Sequence, residues 1–386
     1  MKSRIWLSAP YWTGREEKYI QSAIRDNWIA PGGANVIEFE KRIASIAGRK
    51  YCIAVNSGTS ALHLSLLTLG FGKGDTVFCP DFTFAAVINP VIYTGAEPVL
   101  VDCLPGSWNM DPEALREAIR RKDELKTAMD PYNRPKKGLI YLHNYGMPAD
   151  TGTMEKIAST FGLHLVEDAS EALGSRTGDH PVGRTGEVST FSFNGNKIVT
   201  GSAGGALLSD NKALIEKAGY LSAQAKEPGK PYYHSEAVGY NYQLSNINAG
   251  IGLGQLETLE FRIEKRRHIF DFYHQLLGDI PGIGFQEEPD GMISNRWLSS
   301  ILVDPERSGG ITRDDVYHVL KEDNIESRFL WKPLHLQPAY SGYMYVGHEI
   351  GEKLFNRGLC LPSGTGLSDE ELERVVKVIR KCLSKM

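Results

Sequence analysis

Lys197 follows an apolar strand-like run, Thr190-Phe-Ser-Phe193, through a tight Asn194-Gly-Asn196 turn, and the chain leaves it by Gly201-Ser-Ala-Gly-Gly205. A lysine desolvated at such a turn and set near another cation has a lowered pKa and a nucleophilic amine, as a Schiff-base lysine needs. Asp168 closes a second apolar run, Leu163-His-Leu-Val-Glu-Asp168, so its carboxylate falls at the edge of a sheet. A carboxylate placed there is costly unless it meets a cation. A third segment, Asn56-Ser-Gly-Thr-Ser-Ala61, joins an apolar strand to an apolar-periodic helix. Free backbone N–H groups and hydroxyls at such a helix start make an anion seat. An anion seat, a strand-end carboxylate and a poised amine are the three anchors that pyridoxal 5'-phosphate requires. Its protonated ring nitrogen, paired with Asp168 at ~4 kcal/mol for an effective dielectric near 20, is the electron sink of that chemistry. Ser192 could add a hydroxyl to the anion seat, and Phe84, in Asp81-Phe-Thr-Phe-Ala85, could stack on a flat ring. Each residue also has a plainer reading. Lys197 can be a solvated lysine, Asp168 a helix cap or an arginine's partner, Ser57 or Thr59 a cap, and Phe84 a core aromatic.

The elements that must position these residues alternate along the first two-thirds of the chain. Strands are expected at Tyr51–Val55, Thr76–Cys79, Val99–Asp102, Leu139–Leu142 and His164–Glu167. Helices are expected from Ala61 to Leu69 and over Ala85–Tyr93, Asp111–Arg120 and Met154–Phe161. That rhythm predicts an α/β fold with a largely parallel sheet covered on both faces, whose ligands sit at the carboxyl ends of the strands. After about residue 245 the pattern becomes a helix-rich stretch, Asn246–Leu276, and then a smaller α+β region closing on a helix over Ser368–Leu383. The expected division is a large domain of residues 1–245 and a smaller one of residues 246–386. The charge run Glu260–Arg267 reads as a solvated helix face, and the polar segment Lys122–Lys137 as a surface excursion.

Bulk properties narrow the function. The chain has 386 residues, 41% hydrophobic and 23% charged, with a formal net charge of −4. It carries no general signature of nucleic-acid binding. No segment reaches the roughly 18 unbroken apolar residues of a membrane helix, and Met1–Pro10 does not read as a signal peptide. The cysteines Cys52, Cys79, Cys103, Cys360 and Cys382 are scattered and form no CxxC pair. A cytoplasmic protein without metal or disulfide framework is the expectation.

The Ser57-Gly-Thr-Ser-Ala61, Glu167-Asp-Ala-Ser-Glu-Ala172 and Ser192-Phe-Asn-Gly-Asn-Lys197 segments, in this order, resemble the DegT/DnrJ/EryC1 sugar aminotransferases of aspartate-aminotransferase fold type I. The branch acting on UDP-linked 4-keto-6-deoxy-N-acetylglucosamine, of the bacillosamine type, is matched at further stretches. These are Asn27-Trp-Ile-Ala-Pro31, Ser294-Asn-Arg-Trp-Leu298, Glu326-Ser-Arg-Phe-Leu-Trp-Lys-Pro333 and Leu359-Cys-Leu-Pro-Ser-Gly364. The resemblance implies transamination from an amino acid, glutamate, to a nucleotide-linked keto-sugar, with the cofactor on Lys197 and its ring nitrogen on Asp168. It implies that Gly58, Thr59, Ser60 and Ser192 hold the phosphate, that Phe84 stacks on the ring, and that Glu171 lies near the ring hydroxyl. Asn241 matches a residue reaching the neighbouring subunit's phosphate, which implies a homodimer with composite active sites. Asn27, Trp28, Ile29 and Ala30, with Arg328, Trp331, Lys332 and His335, match the sugar-nucleotide pocket. The chain departs from the family in having Gln243 for a frequent Arg, Phe329 for a common Pro, and Gly201-Ser-Ala-Gly for a Thr-Ser-Gly-Gly-like run. Relatives with His in place of the lysine act as dehydrases, so the lysine favours transamination. A GDP- or dTDP-linked sugar or amination at C3 keeps the same chemistry. A lyase or aldolase would need an α-carboxylate clamp, for which Arg296 and Arg328 are candidates. A non-catalytic cofactor-binding regulator usually carries a fused DNA-binding module, and this chain has no spare region to hold one.

Overall fold

The computed structural model describes residues 2–126 and 135–384. Its apolar runs become strands buried on both faces, as a parallel sheet demands. Alternate side chains part between two layers. Val77, Cys79, Ile140, Leu142 and Val166 pack with the helix Gly58–Leu69. Phe78, Leu139, Tyr141 and Leu165 pack with the helices Pro112–Lys126 and Thr151–Phe161 on the other side.

Eight described strands form the large sheet, in the order Tyr51–Val55, Gly205–Ser209, Val188–Ser192, His164–Asp168, Lys137–Leu142, Thr76–Pro80, Glu97–Val101, Met344–Val346. Gly205–Ser209 runs against both its neighbours, and the other pairings are parallel. The turns after Val55, Pro80, Leu142, Asp168 and Ser192 therefore open on one edge, and Gly204 arrives at the same edge from the opposite direction. A smaller antiparallel sheet, Ile283–Phe285, Ser300–Val303, Gly358–Cys360 and Arg328–Phe329, has its own core. In that core Ile301, Val303 and Leu359 meet apolar stripes of the helices Leu259–Leu277, Arg313–Glu322 and Asp369–Leu383. The helix Asn246–Leu256 packs on the helices Glu16–Arg25 and Ala34–Ala47, beside the large sheet. The chain returns to that sheet once more at Met344–Val346.

Three local expectations need correction. The helix expected over Ala85–Tyr93 spans only Asn89–Thr94, because Pro90 lacks an N–H and fits only the first turn. In the Glu260–Arg267 run, Glu260 and Glu264 are exposed, but Arg262 and Arg266 are buried. Their spacing of four places both on the core-facing stripe beside Ile263 and Ile269. The Lys122–Lys137 segment begins in the helix Pro112–Lys126, with Lys122 buried and its Nζ 2.6 Å from Glu97, and ends at the strand Lys137–Leu142. Residues 127–134 of that segment lie outside the described residues. No helix among the described residues is long and apolar enough to cross a membrane.

Asp102, just past the strand Glu97–Val101, ties the returning segment down. Its carboxylate accepts N–H bonds from Cys103 (2.8 Å), Gly351 (2.9 Å), His348 (3.0 Å) and Ile350 (2.9 Å), and the Tyr345 hydroxyl (2.9 Å). Burial alone would raise this carboxyl, but the donors outweigh it and hold its pKa below the ordinary value. A depressed folded pKa gives stability that is full above the unfolded-state pKa and is lost as pH falls through the folded one. Asp102→Asn should therefore cost about 3 kcal/mol at neutral pH. The gap to wild type, followed by denaturant unfolding, should close below about pH 4.

Candidate active site

The Ser57 side chain caps the helix Gly58–Leu69 by accepting from Ser60 N at 3.0 Å. Ser60 is spent on this cap: its hydroxyl lies 2.8 Å from that of Ser57 and donates to Asn56 Oδ1 at 2.6 Å. It does not border the cavity that Ser57, Gly58 and Thr59 line. A helix start leaves its first N–H groups without intrahelical acceptors. The space beside Gly58 is closed to any side chain, since a Cβ there would sit 2.8 Å from Ser192 Cβ and 3.3 Å from Ser170 Oγ. Gly205 is forced likewise, because its Cβ would lie 2.3 Å from Ser57 O. Two glycines thus draw the helix start, Ser170 and Ser192 into one hydroxyl-lined seat.

Asp168 is buried at its strand end, with Oδ1 accepting from Ser170 N (3.0 Å) and Thr190 Oγ1 (3.3 Å). Burial raises its pKa, against the pull of Ser170 and Lys197. Glu171 is likewise raised by burial, with Lys197 and the Tyr145 N–H pulling the other way. Its Oε2 accepts from Tyr145 N at 2.7 Å and its Oε1 lies 3.6 Å from Lys197 Nζ. Burial lowers the Lys197 amine, with Glu171 and Asp168 opposing. The amine rests 3.8 Å above the Trp297 ring. Trp297, Tyr145 and Trp331 stack on one another, with Tyr145 centroids 6.3 and 5.5 Å from the two tryptophans. Phe84 faces Trp331 at 5.4 Å. It is 56% exposed, which removes the core-aromatic reading.

The cavity measures about 1010 Å³ and brings Gly58, Thr59, Phe84, Asp168, Glu171, Ser192, Lys197, Arg328 and Trp331 together. Other expected residues lie off it. Lys332 is exposed outside the lining. His335 turns away: its Nδ1 is 2.7 Å from Asp81 Oδ2, its Nε2 3.1 Å from Glu352 Oε1, and Tyr345 stacks on it at 4.0 Å. Burial alone would lower its pKa, but these two carboxylates raise it overall. The His335 ring is a clamp between the loop carrying Phe84 and the segment carrying Trp331. Asn27, Trp28, Ile29, Ala30 and Asn241 are exposed and line no part of this cavity. Sequence reasoning missed Ser170, Tyr145, Trp297 and Glu326. Tyr145 had a usable signal, since His143-Asn-Tyr-Gly146 follows an apolar strand on the same edge as Asp168. Glu326 accepts from Leu7 N at 3.2 Å and from Arg328 at 3.1 Å, closing the mouth with the N-terminal segment.

A model of the DegT/DnrJ/EryC1/StrS aminotransferase family matches residues 10–380. EpsN of Bacillus subtilis (strain 168), named among pyridoxal phosphate-dependent aminotransferases, is 43% identical over 383 residues, covering 98% of this chain and 96% of that protein. A GDP-perosamine synthase of Escherichia coli O157:H7 is 32% identical over 375 residues, covering 97% of each. The crystal structure of a DegT DnrJ EryC1 StrS aminotransferase from Brucella abortus superposes with a TM-score of 0.86 at 31% identity, covering 95% of each chain.

A lowered amine pKa means more neutral Lys197 than surface lysine at any pH near neutrality. Protein stripped with hydroxylamine, dialysed, and treated with formaldehyde and cyanoborohydride at pH 7 should be methylated first at Lys197. The preference should fade as pH rises above the lowered pKa toward that of surface lysines; peptide mapping that finds Lys197 among the slowest lysines contradicts the placement.

Proposed function

The chain belongs to the DegT/DnrJ/EryC1/StrS aminotransferase family, and we propose that it is a pyridoxal-phosphate enzyme aminating a nucleotide-linked keto-sugar. The donor in this reading is an amino acid, L-glutamate. The acceptor is the C4 ketone of a 4-keto-6-deoxy sugar, UDP-linked and N-acetylated. The observation that carries the proposal is the buried Lys197 amine, 3.6 Å from Glu171, in one cavity with Asp168 and the seat at Gly58.

The residues fit the cofactor at each of its three ends. The phosphate suits the helix start with the hydroxyls of Thr59, Ser170 and Ser192. Asp168, pushed upward by burial that Lys197 only partly offsets, has no ion-pair partner among the described residues, and a protonated ring nitrogen would be one. The aldehyde needs a neutral amine, toward which burial moves Lys197. When bound, pyridoxal 5'-phosphate supplies the electron sink that lets a proton leave the substrate carbon.

The chain's own residues do the rest. Lys197 Nζ moves the proton between the substrate carbon and its acceptor, as a general base and then a general acid. Asp168 holds its negative charge at the strand end through both half-reactions. Glu171 anchors Tyr145, so the aromatic stack walls Lys197 from water and restricts its approach to one face. Arg328, at the mouth, answers substrate phosphate. The exposed Trp28 (52%), Ile29 (60%) and Asn241 complete the site of a second copy in this reading. A GDP-linked acceptor is the second reading, favoured by the 32% identity to GDP-perosamine synthase along almost the whole chain.

Lys197→Ala should abolish turnover, and wild-type activity in that variant would refute the assignment. Asp168→Asn, which forfeits an ion pair of ~4 kcal/mol, should lower kcat about 10³-fold. The wild-type protein should be yellow, bleach with glutamate and recover with the right keto-sugar nucleotide. A panel of UDP-, GDP- and dTDP-linked 4-keto-6-deoxy sugars, with products identified by NMR, decides the acceptor. Recovery with GDP sugars alone selects the second reading, and recovery with none removes sugar amination.

A further inference from the structure

Arg266 is 2% exposed on the helix Leu259–Leu277. Among the described residues no carboxylate lies within ion-pairing distance of it, and burial, followed by nearby Arg262, pulls its pKa down. A guanidinium so placed is retained against its own solvation. Its partners are two neutral oxygens. One terminal nitrogen donates to Trp297 O, and the other donates to Ser8 Oγ at 3.1 Å.

Both contacts lead to one peptide bond. Ser8 Oγ donates to Asn196 O at 2.9 Å, and Trp297 Nε1 donates to the same oxygen at 2.8 Å. On the far side of that peptide, Lys197 N donates to Asn194 O at 3.0 Å. The Asn196–Lys197 peptide is thereby fixed at its carbonyl by two donors and at its N–H by an acceptor. The same Trp297 carries the Lys197 amine on its ring face at 3.8 Å. A long side chain delivers its tip reproducibly only when its backbone plane is fixed.

We propose that Arg266 is a positioning residue for Lys197, setting the Asn196–Lys197 peptide through Ser8 and Trp297. The proposal rests on the reading of Lys197 as the cofactor lysine. Arginine suits the task because its planar fork reaches two acceptors at once, whereas an ammonium is a single point charge. Ser8 brings the N-terminal segment into the link, which accounts for a hydroxyl buried at 9% exposure among cavity-lining residues.

Ser8→Ala is the cleanest test, since it removes one hydroxyl and leaves the guanidinium, the tryptophan and the core in place. Arg266→Lys and Trp297→Phe cut the same link elsewhere, and Lys265→Ala on the same helix is the control. In cofactor-free protein, Ser8→Ala and Arg266→Lys should speed hydrogen exchange at residues 194–198 about tenfold relative to the rest of the large sheet. In loaded protein they should shift the pH titration of the visible band and lower kcat roughly 10- to 100-fold, with KM within twofold of wild type. Lys265→Ala should match wild type throughout. Unchanged exchange and titration in Ser8→Ala overturns the proposal, even if Arg266→Lys fails to fold. Equal loosening of the whole molecule overturns it too, because that is a structural role alone. Should borohydride reduction of wild type place the cofactor on another lysine, the functional reading fails, while local exchange still reports whether Arg266 fixes this peptide.

Discussion

One amine and two carboxylates share a space from which water is largely withdrawn, and much of the surrounding structure serves that arrangement. Lys197, Asp168 and Glu171 are each pushed by burial toward neutrality; the amine and the carboxylates pull one another toward charge, while Asp168 pushes Glu171 further toward its neutral form. Three such groups, net negative if all are charged, are poorly balanced alone in a medium of low dielectric. A ligand bringing a cationic ring nitrogen and an amine-reactive carbonyl relieves both sides at once. The electrostatics therefore give the cavity a defined chemistry as well as a defined shape.

The architecture follows from that demand. Parallel strands deliver their carboxyl ends to one edge, so Asp168, Tyr145 and the Ser192–Lys197 turn meet there although they are far apart in sequence. The antiparallel strand Gly205–Ser209 brings Gly204 and Gly205 back to the same edge, and only a glycine at 205 lets the backbone approach Ser57 so closely. The smaller antiparallel sheet and the segments flanking its strands supply Trp297, Arg328 and Trp331 as the opposite wall. The later segments are tied to the large sheet by specific polar contacts: Asp102 gathers five donors of the Cys103 and Tyr345–Gly351 segments, and the His335 ring bridges Asp81 and Glu352.

Legibility in the sequence tracked distance along the chain. The layered α/β fold and the Gly58, Asp168 and Lys197 turns could be read because each lies within a few residues of a strand whose period marks it. Ser170 stood inside a quoted motif but showed its role only once Gly58 was seen packed against it. Trp297 became visible as the floor under Lys197 only through a contact spanning about a hundred residues. Arg262 and Arg266 misled because a charge usually marks solvent, whereas here Arg262 meets Tyr11 O, Gln255 O, the Thr258 hydroxyl and Glu16, and Arg266 donates to Trp297 O and Ser8 Oγ. His335 misled because a residue near a pocket in sequence can hold a wall from behind. In the proposed reading, recognition of the nucleotide and sugar rests on side-chain placement at the mouth, around Arg328, which no local pattern in the sequence marks.

The most direct measurement is a crystal structure of the protein loaded with pyridoxal 5'-phosphate. Continuous density from Lys197 Nζ to the cofactor is the predicted result, with the ring nitrogen in hydrogen-bonding reach of Asp168 and the phosphate against Gly58, Ser170 and Ser192. Density ending on another lysine, or a ring whose nitrogen points away from Asp168, would contradict the account at its centre.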